Sequence, residues 1–216
     1  FTYRDIKVIL VDNSKDADYD KTIAAQGIQA LKYKAPKGET LRETLAHSRN
    51  MLRTILLQEN YNYFLSLEQD ILPPVDVIER LLQHDKPVVS AVYYKYFTFR
   101  HTGPKGAVEK KKAMPLLAKP SKDPTKMHFF TAEEVEQGNL IPVRYCGLGC
   151  VLIRRDVLEK IAFRVDMGPE GRAFDDVYFC NDVLAEGFGL YADTSMKCMH
   201  RLSGKPEGLF DEVHKL

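Results

Sequence analysis

Two acidic side chains, Glu68 and Asp70, stand one residue apart just after the apolar residues 63–65. In an extended chain the side chains alternate between two faces, so this spacing predicts that Glu68 and Asp70 point the same way and Gln69 oppositely. Carboxylate oxygens are the ligands that hard divalent cations prefer. In open α/β sheets, ligands bind outside the carboxyl ends of the strands, which is where this pair belongs. The spacing favours a cation site, and the alternative is that both acids only solubilise a turn.

A histidine near the end of the chain, His200, follows a predicted strand and is a candidate third protein ligand. A site that mixes carboxylates with imidazole suits Mn²⁺ better than Ca²⁺, because imidazole is a good ligand for transition ions. We therefore expect Mn²⁺ or Mg²⁺, with Mn²⁺ favoured. The ion needs further ligands, which a phosphate-bearing substrate typically supplies. The alternative is a packed or solvated histidine.

A second pair of acids, Asp175 and Asp176, opens a helix predicted at residues 175–186, where the helix dipole stabilises negative charge. Adjacent carboxylates repel each other, which raises the pKa of one of them towards the range of a general base. Simple helix capping is the competing interpretation.

Three arginines, Arg42, Arg49 and Arg53, form one stripe on the long predicted helix and could face a diphosphate; a solvated charged face is the alternative. The glycines Gly147 and Gly149 would let the backbone approach a bound ring closely. No lysine or helix start completes a phosphate-binding loop around them.

Strands and helices alternate at intervals that suit βαβ units, so the first half of the chain predicts a parallel, Rossmann-like sheet. A capping box, Thr40 with Glu43, marks the start of the strongest helix. Further helices are predicted at about residues 75–84, 155–162 and 175–186. Strands are predicted at residues 6–11, 27–33, 63–67, 87–92, 150–153 and 188–192, and residues 194–216 read as a strand-to-loop tail.

Composition indicates a globular chain with one domain, residues 1–216: 44% of its residues are hydrophobic, and no apolar stretch is long enough for a membrane helix. The net charge of +1 gives no field that would recruit nucleic acid. Four scattered cysteines fit reduced thiols in a cytoplasmic protein. Cys146 and Cys150 lack the partners of a zinc site.

Residues 100–126 lose all periodicity and carry eight basic residues against two acidic ones, together with four prolines. We expect a basic excursion loop at about residues 100–130, of the kind that serves as a lid or a binding loop. It could face an anionic acceptor or make a peripheral contact with a membrane surface. A flexible, solvated loop is the alternative.

Taken in order, these residues resemble the nucleotide-sugar-dependent glycosyltransferases with a GT-A fold, especially the family-2-like group. Each motif is loose, but their order and spacing together are specific, and they cover nearly the whole chain outside residues 100–130. The match runs through Val-Asp-Asn-Ser at 11–14, Ala-His-Ser-Arg-Asn at 46–50, Phe-Leu-Ser-Leu-Glu-Gln-Asp at 64–70, Gly-Leu-Gly-Cys-Val-Leu-Ile-Arg-Arg-Asp at 147–156, Asp-Asp-Val-Tyr-Phe-Cys at 175–180, and His200.

The resemblance implies an α/β fold with a mixed, mostly parallel sheet flanked by helices. It also implies a donor site in which Asp12 contacts the nucleotide base and Glu68-Gln69-Asp70 is the D-x-D-like element. Within that element Asp70 ligates the metal, while Glu68 lies near the ribose or a metal-bound water. His200 is the late metal ligand, and Arg49 belongs to the donor-binding set.

The implied reaction is metal-dependent transfer of a sugar from a nucleoside diphosphate sugar to an acceptor hydroxyl, with inversion favoured over retention. Asp176, or alternatively Asp175, deprotonates the acceptor, which could be a saccharide, a lipid-linked molecule or a small molecule. The alternatives are a non-catalytic protein that binds nucleotides or polyanions, and a metal-dependent phosphohydrolase using Glu68, Asp70 and His200.

The chain departs from the family pattern in two places. The first acid of the D-x-D-like element is Glu68 where the family has Asp. Family members also have a strand and a helix before the strand that begins here at Ile6. Without them residues 6–11 form a bare apolar edge, which natural proteins avoid. We therefore predict that the natural protein has more residues before Phe1.

Overall fold

The computed structural model describes residues 1–16, 18–103, 106–121, 123, 126–166 and 173–201. Strands and helices alternate along most of this length. In chain order the elements are β1 (Ile9–Asp12), α1 (Tyr19–Ala24), β2 (Gln29–Lys32), α2 (Leu41–Gln58), β3 (Tyr63–Leu67), β4 (Ile71–Leu72), α3 (Val77–Gln83), β5 (Val88–Val92), β6 (Tyr94–Gly103), β7 (Gly106–Pro115), β8 (Leu117–Ala118), a 3-10 helix (Glu133–Val135), β9 (Leu140–Pro142), β10 (Tyr145–Cys146), β11 (Cys150–Arg154), α4 (Arg155–Lys160), α5 (Asp175–Ala185), β12 (Leu190–Lys197) and β13 (Met199–His200).

The central sheet has five strands in the order β3-β11-β5-β12-β9. Strands β3, β5 and β12 run in one direction, and β11 and β9 run in the other. Strand β5 is buried at all five positions, as its continuous apolar sequence predicts for a strand covered on both faces. The predicted α/β class, with a mixed sheet flanked by helices, is confirmed. Within this sheet β5 and β12 pair parallel and the other three neighbouring pairs are antiparallel, while β1 and β2 form a separate parallel pair.

Two apolar layers cover the sheet. One contains Phe179 of α5 and Leu158 of α4, both fully buried. The other contains Leu81 of α3 and Met196 of β12, also fully buried. Both faces of the sheet are therefore covered by apolar side chains.

Helix α2 begins as the sequence predicts. The Thr40 hydroxyl accepts a hydrogen bond from the Glu43 backbone, and the Glu43 carboxylate accepts one from the Thr40 backbone N–H at 2.7 Å. This capping box satisfies backbone donors that otherwise lack a partner. It fixes the start of the helix that carries Arg49.

The predicted basic loop is wrong in its secondary structure. Strands β6 and β7 form an antiparallel hairpin in continuous register from the Tyr94–Pro115 pair to the Gly103–Gly106 pair. Backbone pairing and burial of Tyr94 and Ala113 at its base stabilise the hairpin. Lysines fill much of β7, which hides the apolar alternation that would have indicated a strand.

The last described residues extend the sheet region further than predicted. Strand β12 continues to Lys197, and β13 pairs antiparallel with β4. The predicted tail beyond Arg201 lies outside the described residues. In the part of the chain that the structure describes, no helix has both the length and the apolar character needed to cross a bilayer.

Candidate functional site

Asp70 and His200 lie side by side, although 130 residues separate them. The pairing of β13 with β4 sets His200 opposite Ile71, and the Arg201 N–H donates to the Asp70 carbonyl at 2.7 Å. The His200 Nε2 atom is 3.2 Å from Oδ2 of Asp70. The structure therefore brings together two of the three residues that the sequence proposes as metal ligands.

The backbone fixes the orientation of the His200 ring. Its Nδ1 atom lies 2.7 Å from the Tyr94 carbonyl, and its ring meets the Tyr93 ring edge-on at 5.5 Å. A carbonyl oxygen only accepts, so the hydrogen-bond network assigns the proton to Nδ1. In the neutral tautomer the Nε2 lone pair then faces a carboxylate oxygen of Asp70. Two electron-pair donors aimed at each other suit a shared cation or a shared proton.

The spacing of these two atoms fits adjacent ligands of a metal ion. Neighbouring ligands of an octahedral ion at about 2.1 Å lie about 3 Å apart. A backbone carbonyl on the remote nitrogen is also a common partner of a metal-binding histidine. Within the described ranges, however, no group of three or more His, Cys, Asp or Glu side chains is placed to hold a metal. A cation here would have to complete its coordination with a bound molecule.

Glu68 does not share the direction of Asp70. Strand β3 ends at Leu67, and the chain then turns, with the Ile71 N–H donating to the Glu68 carbonyl at 3.1 Å. The strand alternation assumed from the sequence therefore does not extend to Asp70. The Glu68 carboxylate instead contacts the Arg49 guanidinium, and Gln69 lies on the turn.

Arg49 joins two carboxylates from distant parts of the chain. Its Nη1 contacts Oδ2 of Asp175 at 2.5 Å, and its Nη2 contacts Oε1 of Glu68. The side chain of Asp175 is 2% exposed and that of Arg49 is 9% exposed. Burial alone would lower the pKa of Arg49, but the charges of Asp175 and Glu68 raise it above its ordinary value. The guanidinium is therefore held charged as the bridge between α5 and the turn after β3.

The other two arginines of the predicted stripe also contact the protein. The Arg53 Nε–H donates to the carbonyl oxygens of Leu158 and Ile161 at the end of α4. The Arg42 guanidinium lies 5.3 Å from the centre of the Phe174 ring. The stripe thus packs α2 against its neighbours and is not a solvated face.

Asp176 lies next to this bridge and has different partners. The Tyr145 hydroxyl donates to its Oδ2 at 2.6 Å, and the Val177 N–H donates to its Oδ1 at 2.7 Å. Burial raises the pKa of Asp176, with a further contribution from the charge of Asp175. The sequence predicts a raised pKa on one of the two acids from their repulsion, whereas burial is the larger cause in the structure.

The acids form one site. The pKa of Glu68 is raised, and burial is the largest cause. The negative charges of Asp70 and Asp176 raise this pKa further, whereas the positive charge of Arg49 lowers it. The Tyr93 hydroxyl lies near the same acids, since Glu68 and Asp176 both raise its pKa in addition to burial. The Arg49 bridge joins Glu68, two residues before Asp70, to Asp175, the neighbour of Asp176, so the Asp70–His200 pair, the bridge and Asp176 belong to one acidic region.

Asp12 lies at the carboxyl end of β1, opposite Lys32 of β2. Its Oδ2 accepts from Lys32 Nζ at 2.7 Å and its Oδ1 accepts from the Ser14 N–H at 2.8 Å. Burial alone would raise the pKa of Asp12, but the hydrogen bonds from Lys32 and Ser14 lower it below its ordinary value. Asp12, which the resemblance predicts to contact a nucleotide base, is thus already paired with the ammonium group of Lys32.

Replacing Lys32 by Met should destabilise the protein at pH 7 by about 3 kcal/mol, because it leaves the Asp12 carboxylate buried without its charged partner. The pH dependence should also weaken. In the parent the lowered pKa of Asp12 contributes stability that is lost as the pH falls from 7 to about 3. In Lys32→Met the hydrogen bonds from Ser14 remain but the Lys32 contributions are gone, so the pKa of Asp12 moves upward and less stability should be lost over this range. Urea unfolding at both pH values measures this.

A matched control for that experiment is Lys21→Met, because the Lys21–Asp18 pair is 76% and 72% exposed. Exposed pairs contribute little, so this variant should behave as the parent protein. The same pH dependence in Lys32→Met and in the parent would contradict the assignment of Lys32 as the partner that keeps Asp12 ionised.

Gly147 and Gly149 do allow the close approach of a ring, but the ring is Tyr93 of this chain. A Cβ at Gly147 would lie 2.0 Å from the Tyr93 hydroxyl oxygen and 2.4 Å from Leu116. The Gly149 N–H donates to that hydroxyl at 3.0 Å. The two glycines therefore seat Tyr93, whose ring supports His200.

Gly147→Ala should consequently lower the melting temperature by several degrees, because overpacking a core costs about 1–3 kcal/mol. Combining it with Tyr93→Phe removes the atom nearest to the added methyl group and should restore part of the loss. Differential scanning calorimetry of the two variants measures this. Equal melting temperatures for Gly147→Ala and the parent would show that Tyr93 moves aside without cost.

Sequence reasoning missed three side chains of this region: Tyr93, Tyr145 and Lys32. Tyr145 stands two residues before Gly147, and Lys32 ends the second strand, so both had a positional signal. Tyr93 had a weaker one, since its role depends on glycines more than fifty residues away.

Comparisons with known proteins bear on the fold. No protein-family model matches the sequence, and a search of curated proteins gave no match. Among solved structures, GalNAc-T7 crystallised with UDP, GalNAc and Mn²⁺ is 14% identical with a TM-score of 0.57, over 93% of this chain and 39% of that chain. A197 from STIV is 18% identical with a TM-score of 0.49, over 92% and 87%. A mutant UDP-glucose pyrophosphorylase from Leishmania major, in complex with UDP-glucose, is 13% identical with a TM-score of 0.33, over 71% and 40%.

Of these three similarities, the one to GalNAc-T7 is close enough to carry an argument, and it concerns the fold alone. This chain spans well under half of the GalNAc-T7 chain. The narrower assignment to the family-2-like group stays a prediction. The chain thus shares its α/β fold with a protein that has been crystallised with a nucleotide, a sugar and Mn²⁺.

Proposed function

We propose that this protein is a metal-dependent glycosyltransferase that moves a sugar from a nucleoside diphosphate sugar to an acceptor hydroxyl. The observation that carries the proposal is the convergence of Asp70 and His200 to 3.2 Å, beside a buried carboxylate, on a fold shared with GalNAc-T7. Neither the arrangement of these side chains nor the shared fold is specific alone. Together they supply a cation site and a base within one acidic region.

In this proposal Asp70 and His200 hold the cation, and Mn²⁺ suits their mixed oxygen and nitrogen donors. The bound ion would neutralise the diphosphate that departs, which stabilises charge developing in the transition state. Oxygens of a bound diphosphate would supply further ligands, since no third acidic or imidazole side chain among the described residues is placed to do so. Glu68, occupied by Arg49, is assigned to shaping the site and not to binding the metal.

Asp176 is the proposed general base. Its raised pKa makes it a better proton acceptor than an ordinary aspartate, and two donors fix its carboxylate. The acceptor oxygen forms a bond to the anomeric carbon while the bond from that carbon to the diphosphate oxygen breaks. The diphosphate leaves with the electron pair, and the acceptor proton passes to Asp176. Attack opposite the leaving group inverts the anomeric configuration.

Asp175 is not the proposed base, because its buried carboxylate is paired with Arg49. Its role is to hold the guanidinium that links α5 to the turn carrying Asp70. Asp12 and Lys32, at the carboxyl ends of β1 and β2, are assigned to the nucleoside end of the donor. Strand ends of this kind are where ligands bind in open α/β sheets.

The test is a thermal-shift panel of nucleoside diphosphates with and without Mn²⁺, followed by product analysis with the matching donor sugar. UDP comes first, since the fold neighbour was crystallised with it. Ligands that bind only the folded state raise the melting temperature by mass action. The proposal expects one nucleotide to act only together with Mn²⁺, and nucleoside diphosphate as the product.

Three outcomes would contradict the proposal. Release of sugar phosphate or inorganic phosphate without an acceptor would indicate a phosphohydrolase. A thermal shift without turnover for any donor and acceptor would indicate a binding protein. Absence of any shift would show that nucleoside diphosphates do not bind here.

A further inference from the structure

The hairpin of β6 and β7 has one face that is rich in lysine. The register pairs Lys95 with Met114, Phe97 with Lys112 and Phe99 with Lys110. Cross-strand partners share a face and alternate residues along a strand point the same way. These six side chains therefore lie on one face, here termed the lysine face, and none of the six is acidic.

The base of the hairpin is anchored at the candidate active site. The Tyr94 carbonyl accepts from His200, and the Tyr94 side chain is 6% exposed. The Phe97 ring packs against Phe129 with centroids 5.1 Å apart. The hairpin base therefore holds a fixed position relative to the Asp70–His200 pair.

The outer part of the hairpin combines positive charge with an apolar ring. On the lysine face Lys95, Lys110 and Lys112 are exposed, and Phe99 is 40% exposed. Among the described side chains of the hairpin, Glu109 is the single acidic residue. An exposed Phe between lysines is the composition of segments that insert at the headgroup level of membranes.

The hairpin and the rest of the chain carry net charges of opposite sign. Residues 94–115 include six basic residues and one acidic residue, a formal charge of +5. The whole chain has +1, so the remainder carries −4. A negatively charged plane would attract the hairpin and repel the rest of the molecule, which orients the protein with the hairpin towards that plane.

We propose that the lysine-rich hairpin docks the protein on an anionic phospholipid surface, with Phe99 entering the headgroup region. Single-stranded nucleic acid is the weaker partner, because its binding surfaces stack successive bases on several exposed rings. Phe97 is turned to Phe129, which leaves Phe99 as the exposed ring among the described hairpin side chains. Docking would hold the candidate active site within about 30 Å of the lipid, the length of a ten-residue strand.

The experiment is co-sedimentation of the full chain with vesicles of phosphatidylcholine alone or with about 30% phosphatidylserine, an anionic content that gives a strong surface potential. The parent should bind only the anionic vesicles, and binding should fall as salt is raised. The triple variant Lys95→Gln, Lys110→Gln, Lys112→Gln, which removes the three lysines of the lysine face, should bind about 100-fold more weakly, since each lysine contributes about a factor of five. A control with equal charge loss, Lys15→Gln, Lys34→Gln, Lys37→Gln, changes exposed lysines elsewhere and should bind as the parent does.

A second measurement uses the absence of tryptophan from the sequence. Phe99→Trp places one fluorophore on the hairpin, and its emission should shift to the blue on anionic vesicles. Tyr19→Trp, at an exposed position on α1, should not shift.

Either of two results would overturn the docking proposal. One is equal vesicle binding by the parent and the hairpin triple variant, or no binding by either. The other is binding of a single-stranded oligonucleotide in place of the vesicles. Both readouts are independent of catalysis, so failure here leaves the proposed reaction untouched and failure of the reaction leaves docking untouched.

Discussion

Asp176→Asn should reduce the rate of sugar transfer by roughly 10²–10⁴-fold while the affinity for nucleoside diphosphate and Mn²⁺ stays near that of the parent. The amide cannot accept the proton of the acceptor hydroxyl, but it occupies the same space between Tyr145 and Val177. Burial already disfavours the charge of Asp176, so its removal should not unfold the protein. Steady-state kinetics with calorimetric nucleotide binding measure both quantities.

The matched control is Asp182→Asn, the same substitution on the same helix at an acid that pairs with Arg164. It should leave the rate unchanged. The pH profile gives a further check: the parent rate should fall as the pH drops through the raised pKa of Asp176, and this limb should vanish in Asp176→Asn. Full activity of Asp176→Asn would remove Asp176 as the base.

Arg49→Met should lower the free energy of unfolding by about 3–5 kcal/mol, because it leaves the Asp175 carboxylate buried without its partner. Arg49→Lys should recover only part of this loss. One ammonium lacks the planar fork with which Arg49 reaches Asp175 and Glu68 together. Urea unfolding monitored by circular dichroism measures these differences.

Two variants make the Arg49 prediction specific. Arg164→Met removes a two-bond arginine pair to Asp182, but Arg164 is 54% exposed, so the loss should stay below about 1 kcal/mol. Adding Asp175→Asn to Arg49→Met should restore stability, since it removes the buried charge. A loss no larger for Arg49→Met than for Arg164→Met would show that the bridge is not structural.

Local signals in the sequence predicted most of the fold. The Thr40 capping box defined the start of α2, and the strand predicted at residues 63–67 has the observed ends of β3. The hairpin was missed for a physical reason. Its strands are stabilised by backbone pairing and by burial of Tyr94 and Ala113 at one end, and lysines replace the alternation that identifies strands.

The site was predictable in its residue types and less so in its contacts. Asp70 and His200 were identified together with Glu68 as metal ligands, because all three were predicted to follow strands and are of metal-ligand types. The direction of Glu68 was not predictable, since it depends on the turn that follows β3 and on the contact with Arg49. The partner of Arg49 was not predictable either, because Asp175 lies 126 residues away and nothing local marks the pair. Which charged residues pair over such a distance in sequence depends on the three-dimensional fold.

The proposed reaction requires that Asp70 and His200 bind a cation together with a nucleoside diphosphate. Isothermal titration of Mn²⁺ into the protein, with and without saturating UDP, tests it most directly. Binding should be weak alone and strongly enhanced by the nucleotide, because the diphosphate completes the coordination. The enhancement should disappear in both Asp70→Asn and His200→Gln. Unchanged enhancement in these two variants would contradict the claim.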